Sequence, residues 1–221
     1  MSSGPKLALL EEYALIARAL STPARLTILE QLAQGERGVE VLASKTTLSV
    51  ANCSQHLQHL RRAGLVTSRR DGKAVIYRLT DGKTLALMDL LRVVAERNLA
   101  QVEHILRDLL GGEDAPEPVS RKELAVRLDE GSVTVLDVRP VDEYTTGHIP
   151  GALNVTLDQL DRMLPDLDLD AEIVAYCRGP YCIYAHQAVA ALRKCGFNAR
   201  RLDGGLPEWR EDGRQVQTVL A

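Results

Sequence analysis

A polar stretch of eight residues at positions 111–118, Gly-Gly-Glu-Asp-Ala-Pro-Glu-Pro, constrains the fold of this 221-residue chain more than any other feature. Its two glycines and two prolines prevent a continuous helix or strand, as is typical of a linker. Hydrophobic periodicity before it is almost entirely helical, whereas short β-rich runs alternate with helical segments after it. The sequence therefore predicts two domains, residues 1–110 and 119–221, each long enough for its own core.

Charge is distributed unevenly between the two predicted domains. Residues 1–112 contain 15 Lys and Arg against 11 Asp and Glu, and residues 113–221 contain 12 against 19, for a net charge of -3. The basic first half favours a polyanionic partner. No signal peptide is recognisable, and no apolar run approaches the roughly 18 residues that span a bilayer. We expect a cytoplasmic protein without membrane contact, whose four cysteines are thiols rather than a disulfide framework.

Capping residues, prolines and glycines delimit the helices of the first half. A basic β-hairpin with a tight turn at Asp71-Gly72 precedes the last of them. Several helices followed by a basic hairpin are typical of a winged helix-turn-helix, in which the later helix enters the major groove of DNA. The predicted helices cover residues 5–20, 23–33, 39–45, 50–63 and 83–110.

Two segments of the first half resemble a known family. They read Thr-Pro-Ala-Arg-Leu-Thr-Ile-Leu-Glu-Gln-Leu from Thr22 and Leu-Ser-Val-Ala-Asn-Cys-Ser-Gln-His-Leu-Gln-His-Leu-Arg-Arg-Ala-Gly-Leu-Val from Leu48. Together with the hairpin they resemble the ArsR/SmtB family of dimeric repressors over about residues 10–110. The resemblance implies a homodimer that binds double-stranded operator DNA. We expect the first helix and the long last helix to form the dimer interface.

The fourth helix has an apolar face formed by Cys53, Leu57 and Leu60, which we expect to pack inward. Polar side chains on the other face suit base edges in the major groove, and basic side chains there and on the hairpin suit phosphates. A solvated polar helix beside an ordinary charged hairpin is the alternative. The predicted DNA-contacting residues are Ser49, Asn52, Gln55, His56, His59, Arg61, Arg62, Arg69, Arg70 and Lys73.

The side chains of the first domain disfavour metal sensing. Many ArsR/SmtB relatives sense metals through paired cysteines on the third helix, but residues 39–45 contain none. Cys53 is interpreted as a core residue because it lies on the inward face. We therefore predict no metal site and no cofactor, and expect sensing to occur in the second domain. The last helix lacks a second histidine at helical spacing and offers only Asp89, Glu103, His104 and Asp108.

Cys177 ends an apolar run, Glu-Ile-Val-Ala-Tyr-Cys, and opens a short loop, Cys-Arg-Gly-Pro-Tyr-Cys, before a predicted helix. In a strand–loop–helix unit, loop amides and the positive end of the helix converge on an anion. That setting lowers the pKa of a thiol and holds a thiolate or a persulfide. The sequence therefore predicts a reactive thiol at Cys177.

Four motifs of the second half resemble a single rhodanese domain over about residues 119–214, an α/β fold with a mostly parallel sheet. The resemblance implies that Cys177 accepts sulfur as a persulfide, with Arg178 supplying positive charge beside it. Asp137 and Arg139 are expected to brace the loop. The motifs are Val-Leu-Asp-Val-Arg from Val135, Glu-Tyr-Thr-Thr-Gly-His-Ile-Pro-Gly-Ala-Leu-Asn from Glu143, Tyr-Cys-Arg-Gly-Pro-Tyr-Cys from Tyr176, and Leu-Asp-Gly-Gly-Leu-Pro-Glu-Trp from Leu202.

Three types of chemistry are considered for the cysteine loop. A cysteine phosphatase or arsenate reductase of related fold needs an arginine that closes a Cys-x5-Arg cradle, and that position is Ile183. A thiosulfate sulfurtransferase needs only Cys177 and the loop amides, of which Pro180 removes one. In the third chemistry Cys182 attacks a persulfide or sulfenate on Cys177 and forms a bridge, instead of being a passive loop residue. Cys195, near a helix end, is interpreted as structural.

The combined pattern predicts a dimeric transcriptional regulator, a repressor that responds to reactive sulfur or redox state through Cys177. Its effector would be a sulfane-sulfur donor or an oxidant. Two alternatives stay open. One is a thiosulfate or persulfide sulfurtransferase tethered to a DNA-binding domain, which would act through a Cys177 persulfide. The other is an arsenic- or metal-responsive repressor.

Overall fold

The computed structural model describes residues 4–110, 116–179 and 182–219. The chain divides into two compact units, one that ends at Val93 and one that begins at Val94. Most of the predicted linker lies outside the described residues, so the domain limits drawn from the sequence stay a prediction. Among the described residues no helix combines the length and apolarity needed to cross a membrane.

Among its described residues the first unit contains four helices, a three-stranded sheet and most of a further helix, which continues past Val93. The four helix boundaries predicted before the hairpin are confirmed to within one residue, and Ser49 caps the fourth helix by accepting a hydrogen bond from the Asn52 amide at 3.2 Å. The elements are α1 (Pro5–Leu20), α2 (Pro23–Ala33), β1 (Arg37–Gly38), α3 (Val39–Lys45), α4 (Val50–Arg62), β2 (Val66–Asp71), β3 (Ala74–Leu79) and α5 (Gly82–Asn98).

Strands β2 and β3 form the predicted hairpin, with Asp71 opposite Ala74 and Gly72 at a φ of 59° in its turn. Strand β1 adds to the other side of β3 and places Arg37 opposite Tyr77. The sequence analysis missed β1 because a strand of two residues is too short to show an alternating pattern.

The single long helix predicted over residues 83–110 is wrong, because the helix is interrupted at Leu99. Helix α5 ends at Asn98 and α6 (Ala100–Leu110) follows. The Asn98 side-chain amide donates to the Val94 carbonyl at 2.7 Å. Asparagine competes in this way with the regular backbone bonds of a helix, which explains a break at this position.

The core of the first unit lies between α2, α3, α4 and the hairpin. Cys53, Leu57 and Leu60 are completely buried in it, so the predicted inward face of α4 is confirmed. Burial raises the pKa of the Cys53 thiol, as expected for a core cysteine rather than a reactive one. Packing of this face fixes which side of α4 remains exposed to solvent.

The second unit is an α/β layer around a parallel four-stranded sheet with the strand order β5-β4-β6-β7. Hydrophobic clusters cover both faces of the sheet. The sequence analysis did not identify the short elements between β4 and β6. After α6 the elements are α7 (Arg121–Asp129), β4 (Val133–Asp137), α8 (Val141–Thr146), β5 (Leu153–Asn154), α9 (Leu157–Met163), β6 (Glu172–Cys177), α10 (Ile183–Lys194), β7 (Ala199–Gly205) and α11 (Leu206–Glu211).

Strand β6 lies between β4 and β7 and is completely buried from Ile173 to Cys177. Because the strands are parallel, their carboxyl ends meet at one edge of the sheet, where ligand sites form in open α/β folds. The register places Asp137 of β4 opposite Tyr176 and Gly205 of β7 opposite Cys177. This edge therefore brings the predicted thiol and its predicted supports together.

Candidate functional site

The two cysteines of the loop are joined. Cys177 is the last residue of β6, and Cys182 is the N-cap residue of α10. They form a disulfide with Cα atoms 5.9 Å apart, within the usual range for such bonds. The sequence analysis expected thiols, and for this pair the structure has a disulfide instead. Cys53 and Cys195 are free thiols.

The two bridged residues differ in exposure. Cys177 is 0% exposed and belongs to the core on one face of the sheet, whereas Cys182 is only partly buried. The Cys182 amide donates to the Gly179 carbonyl at 3.1 Å. The predicted effect of Pro180 on the loop amides concerns a residue outside those the structure describes. The geometry permits the predicted bridging by Cys182, and its role as resolving residue stays a prediction.

A buried charge network involves Tyr176, the residue before Cys177. The Asp137 and Arg139 side chains are both completely buried and paired, with Arg139 Nε 2.9 Å from Asp137 Oδ1. The Tyr176 hydroxyl donates to Asp137 Oδ2 at 2.6 Å and accepts from the Ile149 amide at 3.0 Å. Burial raises the pKa of Tyr176 well above its usual value, so the hydroxyl stays protonated as a donor. The network holds Tyr176, the residue before Cys177, and bracing of the loop itself by Asp137 and Arg139 stays a prediction.

Arg178 is bound to a carboxylate that the sequence analysis did not assign a role. Its Nε and Nη2 atoms donate to the two oxygens of Glu143 at 2.9 and 2.8 Å, and Glu143 is completely buried. Arg178 also lies 6.0 Å from the ring centre of Tyr184. Because the fork-shaped pair with Glu143 balances the charge of Arg178, that residue contributes less positive potential at Cys177 than predicted.

A glycine permits the close approach of β7 to the thiol loop. A Cβ atom at Gly205 would lie 2.6 Å from Gly179 N and 2.7 Å from Arg178 C, and closer still to Cys177 O. The Gly205 amide donates to the Glu208 carboxylate at 2.8 Å, which anchors the start of α11 beside the same loop. The only sequence signal for this residue was its place in the fourth rhodanese-like motif.

His148 takes part in structural contacts. His148 is buried, and its ring stacks on Tyr144 with centroids 3.8 Å apart. His186 lies on α10 and is half-buried. Within the described ranges no group of three or more histidine, cysteine and acidic side chains could hold a metal ion.

The outward face of α4 carries most of the polar side chains predicted to contact DNA. Asn52, Gln55 and His59 are exposed, as are Arg61 and Arg62. His56 differs from the prediction of an outward side chain: it is half-buried, and its Nδ1 atom is enclosed without a hydrogen-bond partner. Burial, followed by the charges of Arg25 and His59, lowers the pKa of His56.

The hairpin presents its predicted basic residues to solvent, but one of them is engaged by acidic neighbours. Arg69 lies 3.0 Å from Glu36 and 3.0 Å from Asp71, and Arg78 lies 3.9 Å from Glu36. Arg70 and Lys73 are exposed near the turn. Glu36 was not identified from the sequence, because only the folded sheet places it beside a strand 33 residues away.

Known proteins resemble this chain in both halves. Residues 22–68 match the bacterial regulatory protein, arsR family, and residues 120–212 match the rhodanese-like domain. The HTH-type transcriptional regulator Rv0324 of Mycobacterium tuberculosis is 44% identical over 215 residues, which cover 97% of this chain and 94% of that protein. The uncharacterized HTH-type transcriptional regulator Rv0081 of the same species is 40% identical over 116 residues, 52% of this chain and 99% of that protein.

Solved structures match each half separately. The homodimeric winged helix-turn-helix DNA-binding domain of Mb0332 from Mycobacterium bovis is 40% identical with a TM-score of 0.41, and the match covers 45% of this chain and 92% of that one. A rhodanese-related protein from Thermoplasma volcanium is 25% identical with a TM-score of 0.42, covering 46% and 98%. On the strength of the family matches and the nearly full-length relative, the chain belongs to the ArsR family of helix-turn-helix transcriptional regulators and carries a rhodanese-like domain in its second half.

Proposed function

We propose that this regulator is a homodimeric repressor that leaves its operator when Cys177 takes up sulfane sulfur or is oxidised. The observation that carries the proposal is the Cys177–Cys182 bridge at the end of the central strand of a rhodanese-like domain. A regulator that binds operator DNA works in the cytoplasm, where reductants keep thiols reduced. The bridge would therefore form in response to a signal.

Exposed apolar side chains support the dimer. Helix α1 exposes Leu7, Leu10 and Tyr13, and α5 exposes Leu90 and Leu91. Contiguous apolar surface on a helix face marks an interaction site, because exposing it to water is unfavourable. We assign both faces to the interface with a second copy of the chain.

Contacts with DNA divide into two kinds. Asn52 and Gln55 are exposed on α4 and suit the edges of bases in the major groove. Arg70 and Lys73 are exposed on the hairpin and suit phosphates of the backbone, which fix the position of the protein without reading sequence. The α4 residues would therefore determine which operator is bound.

The response begins at Cys177. Its thiolate attacks the sulfane sulfur of a donor, the bond to the donor's leaving group breaks, and Cys177 becomes a persulfide. The Cys182 thiolate then attacks Sγ of Cys177, the bond to the outer sulfur breaks, and that sulfur leaves with the electron pair. Bridging removes the anion at the start of α10, which changes a helix-dipole interaction of about 1–2 kcal/mol. We propose that this change reaches the dimer, where a shift of that size alters operator affinity roughly tenfold.

Operator binding before and after treatment tests the proposal. Reduced wild-type protein is exposed separately to polysulfide, peroxide and arsenite, and its DNA affinity and intact mass are measured. We expect polysulfide to lower the affinity of the wild type, Cys177→Ser to bind DNA without responding, and Cys182→Ser to accept sulfur and respond weakly.

Two results would redirect the proposal. If the wild type holds its operator equally tightly when fully persulfidated or bridged, a sulfurtransferase tethered to a DNA-binding unit replaces the sensor. Release by arsenite alone would support the arsenic-responsive repressor.

A further inference from the structure

We infer that Cys177 and Cys182 form a built-in dithiol that reduces sulfane sulfur to hydrosulfide, so that the protein has a sulfur-reducing activity besides DNA binding. The inference rests on the proposed sulfur acceptance at Cys177 and adds the chemical fate of the accepted sulfur. Repeated turnover then needs an external thiol that reopens the bridge at Cys182.

Proximity of the two sulfur atoms carries the first step. Their residues are five apart in sequence, their Cα atoms are 5.9 Å apart, and the sulfur atoms are bonded to each other. The Cys182 amide also donates a hydrogen bond to the Gly179 carbonyl, which links Cys182 to the part of the loop that follows Cys177. A thiolate held this close attacks at a far higher effective concentration than a thiol in solution. Resolution within the loop therefore outruns transfer of the persulfide sulfur to another molecule.

The reaction balances with a thiosulfate-type donor. The Cys177 thiolate attacks the outer sulfur, the sulfur–sulfur bond of thiosulfate breaks, and sulfite leaves with the electron pair. The Cys182 thiolate then attacks Sγ of Cys177, and the bond to the outer sulfur breaks with its electron pair remaining on that sulfur. The outer sulfur leaves as hydrosulfide. Two thiols have been oxidised to the disulfide, their two protons reside on hydrosulfide and hydrogen sulfite, and one sulfane sulfur has been reduced.

Unequal burial of the two sulfur-bearing residues directs the reopening step. In the bridged form, which the structure describes, Cys177 is 0% exposed, so an external thiolate attacks the less buried Cys182 instead. Cys182 is partly exposed and is followed by Ile183 and Tyr184, which are 37% and 39% exposed. An incoming thiol therefore forms a mixed disulfide with Cys182 and expels Cys177 as the thiolate. This order returns the thiolate to the residue that accepts the next sulfur.

A single-turnover experiment without added thiol tests the first step. Fully reduced full-length protein is mixed anaerobically with thiosulfate or, in parallel, with glutathione persulfide, and hydrosulfide and intact mass are followed. We expect the wild type to release hydrosulfide and become bridged, and Cys182→Ser to retain one sulfur atom, about 32 Da, until dithiothreitol is added. Cys195→Ser is the matched control, because Cys195 is an exposed free cysteine, and it should behave as the wild type.

The outcomes separate this inference from the proposed function. Stable retention of the added sulfur by the wild type, without hydrosulfide, overturns the reductase. If no variant gains sulfur, including Cys182→Ser, then sulfur acceptance itself fails and the proposed function fails with it. Operator affinity is measured in the same samples. If the protein releases hydrosulfide but keeps its operator affinity, the proposed release of DNA is refuted and the reductase activity stands.

Mapping of the mixed disulfide tests the second step. Bridged protein is treated briefly with glutathione, free thiols are alkylated at once, and the adduct is located by peptide mass spectrometry. We expect glutathione on Cys182 and the alkylating group on Cys177. Glutathione on Cys177 would overturn the assigned direction of reopening.

Discussion

Replacing Gly205 by alanine places a methyl group against the backbone of the thiol loop. The added Cβ would lie 2.6 Å from Gly179 N and 2.7 Å from Arg178 C, whereas unstrained contacts begin near 3.5 Å. The loop must therefore move by roughly 1 Å, since its backbone cannot rotate away as a flexible side chain could. Gly205 has extended dihedral angles (φ -151°, ψ -159°), so the effect arises from this contact and not from the backbone conformation of alanine.

The expected cost is about 1–3 kcal/mol of stability, the usual range for overpacking. A displacement of roughly 1 Å at a reacting group also slows chemistry by about 100-fold, so sulfur uptake by Cys177 should fall by that order. Gly179→Ala is the matched control, because its Cβ would meet only Glu208 Oε1 at 3.8 Å, an ordinary contact.

Two measurements separate these effects. Trp209 is the single tryptophan of the chain and is buried in the second unit, so its fluorescence during urea unfolding reports the stability of that unit. Sulfur uptake is followed by intact mass under conditions in which the variant stays folded. Wild-type stability and uptake in Gly205→Ala would refute the reasoning, whereas equal damage by Gly179→Ala would show that the loop tolerates no added methyl group anywhere.

Three further predictions concern the DNA-binding face and the buried network. Gln55→Ala should weaken operator binding by about 1–3 kcal/mol and leave binding to scrambled DNA unchanged, as measured by fluorescence anisotropy. Glu36→Gln should remove the carboxylate that Arg78 contacts and one of the two that Arg69 contacts. Binding to all DNA should therefore tighten, and the logarithmic salt dependence should steepen by about 0.9 if one further arginine reaches a phosphate; Glu40→Gln, on the exposed face of α3, should leave the slope unchanged. Tyr176→Phe should destabilise the second unit by about 2–3 kcal/mol, because it removes a hydrogen bond to the buried carboxylate of Asp137; unchanged urea unfolding would contradict that role.

Short-range sequence signals were sufficient to predict where helix α4, the hairpin turn and strand β6 lie. Helix α4 begins where Ser49 caps it and ends before Gly64, and the hairpin turns at Gly72, where the positive φ suits glycine. The position of Cys177 at the end of an apolar run was likewise readable, because a buried parallel strand needs a continuous apolar stretch. The break at Leu99 was missed because the apolar pattern continues across it.

Residues brought together from distant parts of the chain were decided by the tertiary structure alone. Glu143 binds Arg178 across 35 positions, and Glu36 binds Arg69 across 33. A carboxylate has the same sequence signature whether it is solvated or paired, so its partner is known only after the helices and sheets have packed. The close approach of Gly205 to the loop has the same origin.

The sequence by itself determined the face of α4 that packs inward and the strand end that carries Cys177, because periodicity and capping act over a few residues. Its motifs indicated the two families of fold by resemblance. Tertiary structure decided that Arg178 is balanced by a buried carboxylate and that Cys177 lies in the core while Cys182 remains partly exposed. These features determine the electrostatics and accessibility of the thiol site. They depend on burial, which arises from the packing of whole elements and is not encoded in any short segment.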